Sequence, residues 1–94
     1  MNLEDYRQEI DIINLQILEL LVKRLTLTAK VAKYKKLHNL PVFDTDRENK
    51  MFQNISQQAQ ELNLPIEIAE NVFRAIVAET HKQENWIISK IIPD

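Results

Sequence analysis

The chain of 94 residues has no glycine, no cysteine and only three prolines. Tight hairpins draw on Gly or Asn-Gly pairs for their turns, so the missing glycine argues against strands joined by short loops. The predicted fold class is all-α. Without cysteine there is neither a disulfide framework nor a thiolate metal site. Basic excess is missing too: the formal charge is −2, which removes the field that holds nucleic acid. No apolar run approaches the roughly 18 residues of a membrane span, and Met1-Asn2-Leu3-Glu4-Asp5 lacks the basic and apolar regions of a signal peptide. These absences predict a cytoplasmic protein that partners neither nucleic acid nor membrane. What is present, 45% hydrophobic and 28% charged residues, suits one folded helical domain over 1–94.

Pro41, Pro65 and Pro93 divide the chain. From Leu3 to about Leu37 the residues Tyr6, Ile10, Ile13, Ile17, Leu20, Leu21, Leu27 and Val31 recur at steps of three and four, which predicts one long amphipathic helix. A second helix is expected from about Thr45 to Leu62, where Thr45-x-x-Glu48 has the form of a capping box and Asp44 and Asp46 suit the dipole. The third should start at Pro65, present Ile68, Val72, Phe73, Ile76, Val77, Ile87, Ile88 and Ile91 on one face, and end at Pro93. A helix of about 35 residues is roughly 50 Å long, whereas a compact chain of this length is roughly 30 Å across. One protomer cannot cover that stripe, so an interwoven homodimer is expected.

Three cations lie on the first helix. Arg24 and Lys35 are 11 positions apart, which returns them to within about 20° of each other and about 16 Å along the axis. Two long side chains leaning together can grip a small molecule. Arg7 lies about 25 Å from Arg24 and roughly 100° round the helix, so it can reach that molecule only from the other chain of a dimer. Arg24 also sits close to the apolar stripe, where a charge needs a partner. The turn Pro41-Val42-Phe43-Asp44-Thr45-Asp46-Arg47-Glu48 adds a cation and an acceptor. On the third helix Thr80 and Glu84 interrupt the row Phe73, Val77, Ile88. Together these residues suggest a site for a small dianion. His38 and His81 have no second ligand at metal spacing and read as surface histidines. Trp86 reads as a core or interface anchor.

The ordered set Arg7, Arg24, Lys35, Asp44, Arg47, Glu48, Thr80 and Glu84, with one long helix and two shorter ones, resembles the all-helical (type II) chorismate mutase family. The resemblance spans essentially the whole chain, and the spacings from Arg7 through Asp44-x-x-Arg47-Glu48 match without a gap. It implies an interlocked dimer with two sites, rearranging chorismate to prephenate with no metal, cofactor or covalent intermediate. By the same resemblance, Arg24 and Arg7 of the other chain bind the two carboxylates, and Lys35 faces the ether oxygen and a carboxylate. Glu48, with the Asp44 backbone, takes the ring hydroxyl. Arg47 organises the site, and Thr80 replaces a family Ser near the ring carboxylate.

Glu84 departs from the pattern, since many members carry a Gln there that donates to the ether oxygen. An ionised carboxylate cannot donate, and neutralising a free glutamate at pH 7 costs about 4 kcal/mol. Burial favours the neutral acid and Lys35 favours the carboxylate. Some members of the family do carry Glu here and work best in acid, so higher activity below neutrality is expected. Isochorismate-pyruvate lyase shares the fold and the cations, but the intact Asp44-x-Asp46-Arg47-Glu48 turn favours the mutase. A non-catalytic helical dimerisation or regulatory module is the alternative of another class. A stand-alone domain is the simpler expectation than a fragment of a fusion.

Overall fold

A computed structural model describes residues 1–90, which form three α-helices and, among the described residues, no strand. Helix α1 is Leu3–Leu37, α2 is Thr45–Glu61 and α3 is Ile66–Lys90. The expected Ile91 and Pro93 lie outside the described residues. Among those described, no helix is long and apolar enough to cross a membrane.

Each helix begins on a residue that satisfies its free amides. Asn2 caps α1 by accepting from Asp5 N at 2.9 Å, while Asp5 Oδ2 accepts from Asn2 N at 3.0 Å, a reciprocal pair that ties down two orphan donors. At α2 the structure differs from the expected Thr45 capping box. The cap is Asp44, whose backbone is extended and whose Oδ1 accepts from Arg47 N at 3.0 Å. Asp44-x-x-Arg47 has the same spacing, and the Glu48 amide that a Thr45 cap would need donates instead to Asp44 O at 3.0 Å, as the first bond of the helix. Glu48 is thereby released from the cap. Pro65 precedes α3 rather than opening it, and its carbonyl accepts from Ile68 N and Ala69 N.

The helix ends explain how a chain without glycine turns sharply. His38-Asn39-Leu40-Pro41 and Leu62-Asn63-Leu64-Pro65 repeat one pattern. Asn39 and Asn63 hold left-handed φ of 54° and 57°, the conformation that glycine commonly supplies after a helix and that Asn tolerates. The next amides fold back: Leu40 N donates to Lys35 O and Leu64 N to Ala59 O, both at 2.8 Å. Proline then prevents the helix from resuming.

Helix α3 is the element on which both others pack, and α1 and α2 do not pack on each other. Among the described residues the buried apolar ones are alanines, Ala32 on α1, Ala59 on α2 and Ala69 on α3, and no large side chain is fully buried. The radius of gyration is 16.8 Å and the extents are 60 × 26 × 14 Å, against a radius of about 12 Å for a compact chain of this length. Accessible surface is 7664 Å², where a compact monomer of this mass exposes roughly 5,700 Å². Much of the excess lies along α1, where Ile10, Ile13, Ile17, Leu20 and Leu27 are all at least half exposed.

Candidate functional site

The C-terminal half of α1, the turn into α2 and the middle of α3 enclose a cavity of about 220 Å³. Helix α1 contributes Arg24, Thr28, Val31 and Lys35, which recur at steps of three and four and so share one face. The turn and the first turns of α2 bring Val42, Asp44, Arg47, Glu48 and Met51. Helix α3 supplies Val77, Thr80, His81 and Glu84 from one face.

Lys35 crosses from α1 to both other walls. Its Nζ donates to Val42 O at 2.8 Å and to Glu84 Oε2 at 3.0 Å. The Glu84 side chain is 5% exposed and that of Lys35 17%, so this ion pair is largely removed from water. Each charge here depends on the other, because an unpaired buried charge is expensive.

Arg24 also finds its partner across the cavity. Its Nη1 donates to Thr80 Oγ1 at 2.6 Å, and the same hydroxyl donates to Ile76 O at 2.9 Å. With its proton committed to the backbone, the hydroxyl turns a lone pair to the guanidinium and holds that cation at the wall. Among the described residues no buried side-chain polar atom lacks a hydrogen-bond partner.

His81 is the residue that sequence reasoning misplaced. It is not on the open surface: its Nε2 lies 2.6 Å from Glu48 Oε2, with side-chain exposures of 26% and 28%. The Phe43 ring packs against it, centroids 4.3 Å apart. A signal was present in the sequence, because His81 is four positions after Val77 and three before Glu84, on the cavity row. Thr28 was also passed over, and it donates to Gln83 Oε1. Gln83 Nε2 donates to Leu25 O at 3.1 Å, so this amide clamps α3 to α1.

Of the eight residues singled out in the sequence, seven line the cavity: Arg24, Lys35, Asp44, Arg47, Glu48, Thr80 and Glu84. The Asp44 carboxylate caps α2. Arg7 is exposed near the far end of α1 and does not line the cavity.

Comparison with known proteins bears on the same residues. Positions 6–85 match the family described as chorismate mutase type II. The chain belongs to the type II chorismate mutase family. The T-protein of Haemophilus influenzae is 34% identical over 90 residues, covering 96% of this chain and 24% of that protein. The T-protein of Enterobacter agglomerans is 34% identical over 79 residues, 84% of this chain and 21% of that one. A bifunctional chorismate mutase/prephenate dehydratase of Buchnera aphidicola subsp. Acyrthosiphon pisum is 31% identical over 85 residues, 90% of this chain and 22% of the relative. The chain thus spans about a quarter of the length of the curated relatives it matches. In this chorismate mutase family member, the matched span contains the whole cavity.

Proposed function

We propose that the chain is a single helical domain over 1–94 that catalyses the rearrangement of chorismate to prephenate in the cytoplasm, as an interlocked homodimer. The observation that carries this reading is the convergence of Arg24, Lys35, Arg47, Glu48, Thr80 and Glu84, from all three helices, on one cavity. A pericyclic rearrangement needs no nucleophile or redox group. It needs a fixed shape with charges placed where the transition state becomes polar.

In this account Arg24 binds one carboxylate of the dianion, and Lys35 faces the ether oxygen, where negative charge grows as the bond breaks. A cation held there stabilises the transition state more than the substrate. Confining the enolpyruvyl side chain over the ring supplies the entropic part. Each charge-assisted hydrogen bond contributes about 1.5–3 kcal/mol, so three or four cover the roughly 8 kcal/mol of a millionfold acceleration. Glu48 and the Asp44 backbone take the ring hydroxyl, the Asp44 carboxylate being committed to the helix cap. Glu84 donates to the ether oxygen when protonated and opposes the reaction when ionised.

The exposed stripe on α1 supports the dimer. A groove of about 410 Å³ between α1 and α3 is lined by Leu18, Leu21, Val22, Leu25 and Ile76, and it shares Arg24, Thr28 and Thr80 with the site cavity. A helix of a second copy laid in that groove covers the apolar stripe and closes the open side of the site, which lets Arg7 of that copy reach the second carboxylate. The surface exceeds that of a compact monomer by roughly 2,000 Å², on the scale that obligate homodimers bury.

The test is chorismate disappearance with product identification. Prephenate formation that is lost in Lys35→Ala supports the reading, and pyruvate release from isochorismate with no action on chorismate replaces it by the lyase.

A further inference from the structure

We propose that His81 is a positioning residue for substrate binding: its Nε2–H holds Oε2 of Glu48, so that Oε1 is the atom presented to a hydroxyl group of the substrate. The substrate half of this inference rests on the mutase reading; the pairing half does not.

An ionised carboxylate only accepts hydrogen bonds, so at 2.6 Å the hydrogen between Glu48 and His81 belongs to Nε2. Both the neutral Nε2–H tautomer and the imidazolium satisfy this. With both side chains about three-quarters removed from water, neither finds an equal partner in solvent. Phe43 packs on the imidazole and fixes the ring from the side of the α1–α2 turn. His81 therefore joins that turn and the start of α2 to α3.

The need for such a restraint comes from the neighbours. Release from the capping role leaves Glu48 three rotatable bonds in a cavity that also holds Arg24 and Lys35 from α1, Arg47 from α2 and the carboxylates of Asp44 and Glu84. An unrestrained Glu48 is drawn to those cations and repelled by those carboxylates. Captured by Lys35 or Arg47, it would neutralise a cation needed for the dianion and withdraw the acceptor needed for the hydroxyl. His81 gives it a fixed partner on α3, where Thr80 and Glu84 already hold Arg24 and Lys35.

The ring hydroxyl sits on the carbon beside the breaking C–O bond but itself makes and breaks none, so a contact to it is held in ground state and transition state alike, and its loss raises KM and leaves kcat nearly unchanged. Two amide variants separate reach from polarity. In His81→Gln the path from Cβ to the terminal nitrogen reproduces the path to Nε2, whereas in His81→Asn it falls one bond short. The expected KM for chorismate is within about threefold of wild type in His81→Gln and roughly tenfold higher in His81→Asn, with kcat within about twofold in both. Imidazole ¹⁵N NMR at pH 8 should show Nε2 protonated in the wild type, and Glu48→Ala should abolish that preference. Equal KM values in the two variants, a fall in kcat without a change in KM, or no tautomer preference in the wild type each overturn the proposal. If the tautomer is found but the wild type does not turn over chorismate, the mutase reading falls, and the substrate role of His81 falls with it.

Discussion

Removing the Lys35 side chain should expose how strongly the site depends on paired charge. In Lys35→Ala the Glu84 carboxylate, 5% exposed, loses the cation 3.0 Å away, and Val42 O loses its donor. Breaking a buried pair by deleting one member costs about 3–5 kcal/mol. Lys35 itself is 17% exposed, so water can partly replace it, and the lower end of that range, about 3 kcal/mol, is expected. For a domain whose whole stability is about 5–15 kcal/mol, this is a large fraction. The double variant Lys35→Ala/Glu84→Gln leaves no unpaired charge and should recover about 2 kcal/mol of the loss. The assay is urea unfolding of wild type, both single variants and the double variant at one fixed protein concentration, because an associating chain has concentration-dependent stability. A single-variant cost below about 1 kcal/mol, with the two substitutions additive within about 0.5 kcal/mol, would refute the claim that the pair is coupled and poorly hydrated.

Three further outcomes are expected. Glu84→Gln puts an amide that can donate to the ether oxygen where the carboxylate accepts from Lys35, so its turnover of chorismate at pH 7.5 should exceed that of the wild type; equal turnover removes Glu84 from the mechanism. Asp44→Ala deletes the α2 cap and should cost about 1 kcal/mol in denaturant unfolding, while Thr45→Ala should cost less, because Asp44 makes the capping bond. Ile17, half exposed on the α1 stripe, should bury against a second chain, so Ile17→Glu should shift sedimentation towards monomer; a wild type already monomeric at micromolar concentration contradicts the dimer.

Helix boundaries within the described residues were legible because prolines and three-four apolar spacing are local signals. The register of Arg24 and Lys35 followed from helix geometry alone, which carries over 11 residues with little error. The α2 cap was harder, since Asp44-x-x-Arg47 and Thr45-x-x-Glu48 have the same spacing and only the backbone angles at Asp44 separate them. His81 was missed for a different reason. Its partner Glu48 is 33 residues away on another helix, and no periodicity on α3 states which α2 residue will face it. Arg24 with Thr80, and Lys35 with Glu84, are likewise tertiary pairs; the polar interruptions of apolar rows were visible, but their partners were not. The abundance of exposed apolar residues on α1 was foreshadowed by arithmetic, because a helix of 35 residues is longer than a chain this small can cover.

The central claim is that cations fixed in one cavity promote the rearrangement of a small dianion without a covalent enzyme intermediate. It is tested most directly by following chorismate by absorbance and identifying the product, from about pH 4.5 to 8, for the wild type and Lys35→Ala side by side. The account predicts prephenate from the wild type and at least a hundredfold lower kcat/KM in the variant, the scale of about 2.7 kcal/mol of lost transition-state stabilisation. Chorismate left untouched by the folded wild type, or turned over equally well without Lys35, would contradict it.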